Sequence, residues 1–313
     1  FSALVHALVG WRLAPDVSLY SPAAGSLVWN WVVLSAVLMP MGMRVPRMVG
    51  PRMKNALTWL GLLSLGLFSS VFVLMLVREF ALGVLTLVHW LGVAVPLDSI
   101  RMETSLVVFP LALLMTIAGF WNARRTATVV RIDVPIANLP ASLEGFSIAQ
   151  ISDVHVGLTI KSHYLQRIVN RVNLLKADMV AITGDLVDGP VKSLGPHITP
   201  LLDLQSAYGT FFVTGNHEYY SGAHGWIDKL RSMGIQVLMN EHVVIHHATD
   251  SQDGDSATVV VAGVADFSAH HFDESHRSDP HGAMADAPEH AHVKLLLAHQ
   301  PRSASAAADA GFD

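Results

Sequence analysis

The first part of the chain reads as long uncharged apolar runs, and the second part as short apolar runs alternating with helical spacing. Ser26–Met43, Asn55–Val77 and Thr104–Trp121 contain no charged residue, and tryptophans stand at several of their ends. Each has about the length that crosses a bilayer as a helix, roughly 17–25 residues. Phe80–Leu97 is also uncharged, but only Arg78-Glu79 separates it from the run before, with no Gly, Pro or Asn to turn the chain. It is expected to continue that helix or to lie on the membrane surface. Phe1–Trp11 is apolar from its first residue, which reads as a clipped membrane helix, and both ends of the chain are expected to be truncated.

From residue 123 the pattern changes. Phe146–Ile151, Met179–Thr183, Phe211–Thr214, Ile235–Leu238, Ala257–Val264 and Val293–Ala298 are strand-like and rich in β-branched or aromatic residues. Between them, Leu165, Ile168, Val169, Val172 and Leu175 recur at helical spacing, predicting an amphipathic helix over His163–Leu175. Trp226–Met233 and Ser303–Ala310 also read as helical, Leu201–Leu204 as a helical turn or two, and Arg131–Leu143 as an edge strand and turn. This alternation predicts an α/β fold with ligands at the carboxyl ends of strands. The domains are therefore 1–122, an all-α transmembrane region, and 123–313, a globular domain long enough to bury a core. Ser268–His292 is polar and without periodicity. It carries His270, His271, His276, His281, His290 and His292, and is expected to be a solvated variable loop rather than a metal scavenger or a lid.

Composition agrees with this division. The chain is 51% hydrophobic and only 14% charged, where soluble domains average about 25% charged. A net charge of -5 gives no support for nucleic-acid binding. There is no cysteine, which excludes disulfides and zinc–thiolate sites. Arg44, Arg47, Arg52 and Lys54 follow the first full apolar run, and Arg124, Arg125 and Arg131 follow the last. Arg78 and Arg101, between the second and third, are offset by Glu79, Asp98 and Glu103. Positive charge on the cytoplasmic side then predicts a multi-pass protein of the cell inner membrane with the globular domain in the cytoplasm.

The chemistry sits at strand ends. Asp153-Val154-His155 follows the first run, Gly184-Asp185-Leu186-Val187-Asp188 the second, Gly215-Asn216-His217-Glu218 the third, and His299 the last. Mixed carboxylate, amide and imidazole donors suit Mn, Fe, Zn or Mg without selecting among them. Taken in this order, the motifs resemble the calcineurin-like metallophosphoesterase superfamily over roughly residues 130–313, and the whole chain is similar to its membrane-anchored members. The Gly-His-x-His that closes that family's pattern has no counterpart before Asp313.

The resemblance implies an αββα two-sheet sandwich and two divalent metal ions about 3.5–4 Å apart that activate a bridging hydroxide. It implies Asp153, His155 and Asp185 as ligands of the first metal, with Asp185 bridging, and Asn216 and His299 as ligands of the second. His217 corresponds to the histidine that contacts phosphate and protonates the leaving oxygen, and Asp188 to its orienting partner. Glu218 is expected to be structural support and Asp266 to lie behind the ligands, while His242, His246 and His247 are read as sheet or loop residues. The implied activity is hydrolysis of a phosphodiester or pyrophosphate bond, in a lipid-linked or nucleotide substrate. The alternative is a non-catalytic membrane sensor or scaffold that keeps the fold. A transporter fits poorly, because His89 and Asn30 are the only polar candidates within the apolar runs.

Overall fold

The computed structural model describes residues 2–43, 50–248 and 256–313. Arg44 and Arg47, and Phe1 at the start of the first apolar run, lie outside the described residues. The chain divides into two compact units, Phe1–Arg125 and Thr126–Asp313.

The first unit is helical: α1 (Ser2–Ser18), α2 (Pro22–Met43), α3 (Pro51–Trp90) and α4 (Leu97–Arg124). Of these, α2, α3 and α4 are long and apolar enough to cross a membrane. Val9 and Leu13 of α1, Val32 of α2, Phe68, Val71 and Met75 of α3, and Val108 and Ala112 of α4 form a common core. Elsewhere large apolar side chains such as Leu34, Val77, Leu114 and Trp121 are exposed, as suits helices surrounded by acyl chains.

As expected, Phe80–Trp90 continues the preceding helix: α3 runs unbroken through Arg78 and Glu79, so these two charges lie within a helix. Charge inside the helical unit is therefore richer than His89 and Asn30 suggest. The Arg78 side chain is buried and pairs with Asp16 of α1 and, at 2.6 Å, with its neighbour Glu79, which also meets Arg12. Arg78 also donates from Nε to Thr104 Oγ1 at 2.9 Å and from Nη2 to the Arg101 carbonyl at 2.7 Å. Each donor of a guanidinium in an apolar bundle needs such a partner, and here the partners come from α1 and α4 as well as from Glu79 of α3. His6 is buried as well, stacked on Phe68 with ring centroids 3.7 Å apart.

In the second unit the chain runs from Thr126 to Pro140 without a strand. The alternation over Arg131–Leu143 therefore does not build the expected edge strand. Ile132 and Val134 point to solvent, Ile136 and Leu139 pack on the core, and Pro135 and Pro140 remove two donors a ladder would need.

The remaining order is β1 (Ile148–Ile151), α5 (Ser162–Asn173), β2 (Met179–Thr183), α6 (Val191–Leu194), β3 (Thr210–Val213), α7 (Asn216–Ser221), α8 (Ala223–Ser232), β4 (Gln236–Val237), β5 (Glu241–Ala248), β6 (Ser256–Gly263), α9 (Pro280–Ala283), β7 (Val293–Leu297) and α10 (Ala304–Asp309). Strands β1 to β4 form one parallel sheet in chain order. In the second sheet β5 is antiparallel to β6, and β6 is parallel to β7.

Because β2 is apolar on both faces, it joins two cores. Val180 and Ile182 pack under Leu165 and Val169 of α5 and Trp226 and Leu230 of α8. Met179 and Ala181 face the second sheet through Ile245, Val259 and Val261. Ala283, Met284 and Phe312 cover the far side of β6 and β7. The result is the αββα sandwich, and its parallel strands carry their carboxyl ends to one edge. The insertion Ser268–His292 is not featureless: it holds 3₁₀ turns at Ala269–His271 and Glu274–His276 as well as α9.

Candidate metal centre

Four loops carry the site, at the ends of β1, β2, β3 and β7, and the first two are laced together. Asp153 N–H donates to the Gly184 carbonyl (3.2 Å), His155 N–H to the Asp185 carbonyl (3.0 Å) and Val156 N–H to the Leu186 carbonyl (2.8 Å). Asp153, His155 and Asp185 all have positive φ, at 56°, 52° and 51°. Non-glycine residues in that region are strained by about 1–3 kcal/mol each, and such strain collects where geometry serves a site. Gly184, at φ 87°, sits against the next loop so closely that a Cβ would lie 2.6 Å from Gly215 N and 2.8 Å from His299 Nδ1.

The third loop is locked from below by Glu218. Its carboxylate is fully buried and accepts four main-chain N–H groups. Oε2 takes those of Asp185 (2.9 Å) and Gly215 (2.7 Å), and Oε1 those of Leu186 (2.8 Å) and Val187 (3.2 Å). Burial pushes this carboxyl up to about 7, with the Asp185 charge adding to the rise, against the pull of the N–H groups of Gly215, Asp185 and Val187. Donors on both oxygens leave no place for a proton, so the geometry is that of the ionised form. One acid side chain thus fixes the backbone of both the Gly-Asp and the Gly-Asn-His loops.

Asp185 is the hub above it. It is buried, and its Oδ1 accepts the His217 main-chain N–H at 2.9 Å. Its Oδ2 lies 3.3 Å from His299 Nε2, 3.8 Å from His155 Nε2 and 3.9 Å from His217 Nε2. The imidazoles are aimed by their other nitrogens. His299 Nδ1 meets the Thr183 carbonyl at 2.8 Å, while His155 Nδ1 and His217 Nδ1 both meet Asp188 Oδ1, at 3.0 and 2.6 Å. Holding Nδ1 in this way presents Nε2 as the free donor, the arrangement metal-binding histidines use.

Asp153 is half exposed and adds Oδ1 at 3.8 Å from His155 Nε2. Burial alone would lower the His155 pKa. The Asp188 hydrogen bond and the charges of Asp188, Asp185 and Asp153 outweigh it and hold the imidazole above its ordinary value. Clustered carboxylates that draw a proton onto imidazole are a donor set that fits a divalent cation.

The structure therefore brings Asp153, His155, Asp185, Asp188, His217 and His299 together. Asp185 is shared by two groups with metal-ligand spacing, one with His155 and His217 and one with Asp153 and His299. Asn216 stands half-buried at the first position of α7, one residue before His217.

A calcineurin-like phosphoesterase family model matches residues 146–311. The chain belongs to that family. The matched residues all lie in the second unit. It is 34% identical over 80% of its length to a transmembrane protein with metallophosphoesterase domain from Danio rerio, covering 57% of that protein. It is 37% identical over 64% of its length to the protein so named in Bos taurus, covering 45% of it. It thus spans about half the length of these curated relatives. A shorter match, 33% identity over 29% of this chain and 28% of the relative, is to the UDP-2,3-diacylglucosamine pyrophosphatase LpxG of Chlamydia muridarum.

Some of this phosphoesterase site was not visible in sequence: Asp188 serves two histidines rather than His217 alone. Asp266, expected from the sequence to lie behind the ligands, is buried and holds Gln300, next to His299, at 2.8 Å. Tyr220 places its ring edge-to-face with His217, centroids 5.5 Å apart. His242, His246 and His247 lie on β5, where His247 Nδ1 meets Tyr208 Oη at 2.8 Å and His242 Nδ1 the Ala283 carbonyl at 2.9 Å.

Proposed function

We propose that residues 1–122 anchor the chain in the cell inner membrane and that residues 123–313 hydrolyse a phosphodiester or pyrophosphate bond at a two-metal centre. Asp153, His155 and Asp185 would hold one divalent ion, and Asp185, Asn216 and His299 the other. When bound, such ions polarise phosphoryl oxygens and make a water nucleophilic at neutral pH. The observation that carries this reading is the convergence of three imidazole Nε2 atoms on Asp185 Oδ2 at 3.3–3.9 Å.

The rest of the reaction falls to the chain's own groups. His217 Nε2 delivers a proton to the leaving oxygen. Asp188 holds the opposite nitrogen and stabilises the imidazolium before that transfer. Asp153, Asp185 and Asp188 pool negative charge that would repel a phosphate, and two divalent ions offset it. The globular domain is read as cytoplasmic from the arginines beside α2 and α4.

The substrate is read as lipid-linked. It would share its chemistry with the diacylated sugar nucleotide named for the LpxG relative, and membrane helices on the same chain would hold the site where such a substrate is concentrated. The test is hydrolysis by the full chain in vesicles, comparing a lipid-linked pyrophosphate with a soluble nucleotide pyrophosphate. Preference for the lipid-linked compound supports the reading. Equal hydrolysis with no effect of lipid would overturn it.

A further inference from the structure

A second set of metal-ligand side chains lies outside the phosphoesterase centre. His224 of α8, Asp273 and His276 each present a ligand atom, all within 4.8 Å of one another. We propose that they bind a single zinc-type divalent ion that pins the histidine-rich insertion to α7 and α8.

The donors are arranged as a built site. His224 Nε2 and Asp273 Oδ2 are 2.9 Å apart, close to the roughly 3.3 Å between ligand atoms of a tetrahedral zinc with bonds of about 2.0–2.1 Å. The His224 and His276 rings face each other with centroids 4.8 Å apart. The outer partners are in place too. Asp273 Oδ1 is occupied by the Ser275 N–H at 2.9 Å and hydroxyl at 2.6 Å, which leaves Oδ2 for the ion. His276 Nδ1 lies 3.0 Å from Tyr219 Oη. In the tautomer where Nδ1–H donates to that phenol, the Nε2 lone pair is free, as in metal-bound histidines. Two imidazoles and one carboxylate, with the fourth position left to water, are a zinc-type donor set.

The site links two parts of the chain that are far apart in sequence. Asp273 precedes and His276 ends the turn Glu274–His276 in the insertion, and His224 is the second residue of α8. From there aromatic contacts lead to the catalytic edge. Tyr219 of α7 packs on Phe272 at 5.6 Å, Phe272 meets Tyr220 edge-on at 5.4 Å, and Tyr220 meets His217. An ion at His224, Asp273 and His276 holds Phe272 against Tyr220, and so positions the ring beside His217.

Two measurements on the full chain in detergent test this, and neither depends on turnover. The first is Zn²⁺ content by equilibrium dialysis. His224→Ala should lose one equivalent and keep those of the Asp185 centre, whereas Asp185→Asn should keep the equivalent that His224→Ala loses. His224 is 70% exposed, so its removal does not threaten the fold. Affinity at this site should fall at least about tenfold, the loss that even an outer partner of a metal ligand produces. The second is tryptic cleavage after Arg277, which Zn²⁺ should slow in Asp185→Asn protein and leave unchanged once His224→Ala is added. Zn²⁺ content that is the same in wild type and His224→Ala, or cleavage after Arg277 indifferent to Zn²⁺ in Asp185→Asn, would overturn the proposal.

Discussion

Glu218 accepts the main-chain N–H of Asp185 at 2.9 Å, and so a buried acid that touches no substrate sets where the hub carboxylate stands. Glu218→Gln keeps the shape but turns one oxygen into an amide donor facing two N–H donors. The loss of two acceptors in a buried place should cost about 3 kcal/mol. Chemical denaturation of the globular unit reads this directly. A change below about 0.5 kcal/mol, the range of ordinary surface substitutions, would mean that the four N–H bonds are not what holds the loops.

Gly184 and Gly215 touch where the second and third loops cross. Gly184→Ala places a methyl 2.6 Å from Gly215 N at a φ of 87°. Strain at such a position is about 1–3 kcal/mol before any clash is counted. The variant should lose at least about 2 kcal/mol of stability and bind Mn²⁺ less tightly by titration calorimetry. Wild-type stability in this variant would show that the crossing has room to yield.

His217 is read as a proton donor and not as a ligand, which separates two readouts. His217→Ala should lower kcat by about 10²–10⁴-fold, the usual worth of a positioned acid. Its metal content should match that of the wild type. Loss of metal along with rate would make His217 a ligand instead.

Arg78 anchors the helical unit through Asp16, Glu79, Thr104 and the Arg101 carbonyl. Arg78→Met removes the cation and strands Asp16, while Glu79 keeps Arg12. Breaking a buried pair from one side costs about 3–5 kcal/mol. Thermal melting in detergent should fall accordingly, and Asp16→Asn added to Arg78→Met should recover part of the loss. No change on Arg78→Met would mean that water already reaches the pair.

His197, in the 3₁₀ turn Gly195–His197, should add a rise of stability with pH. Burial, and then the positive charge of Lys161, hold its pKa below the usual 6.5. The unfolded chain then binds more protons than the fold below that value, so the His197 contribution is present above about 6.5 and is lost as pH falls through and below it. His197→Gln should flatten the fall in melting temperature between about pH 7 and pH 5. An unchanged slope would place the cause elsewhere.

The motifs at strand ends were legible because parallel strands deliver their last residues to one edge, so Asp153, Asp185, Asn216 and His299 announce themselves by following apolar runs. The α/β class was legible from the same alternation, while the two-sheet sandwich came from the family resemblance. Strand β5 was not, because His242, His246 and His247 interrupt its apolar pattern, and only the pairing with β6 shows that His247 is a packed residue. The false strand over Arg131–Leu143 failed for the opposite reason: the alternation is there, but no partner strand is. Short-range reading also missed contacts made across long separations. Arg78 meets Asp16, Asp188 meets His155 as well as His217, and His224 meets Asp273, and neither Arg78–Asp16, Asp188–His155 nor His224–Asp273 has a local spacing to betray it.

The most direct measurement is hydrolysis of a generic phosphodiester by the full chain, with and without Mn²⁺, beside Asp185→Asn. The arrangement around Asp185 predicts metal-dependent turnover that falls by about a thousandfold or more in the variant, the equivalent of roughly 4 kcal/mol of transition-state stabilisation. Absence of turnover with any divalent metal in a folded protein, or turnover indifferent to Asp185→Asn, would contradict it.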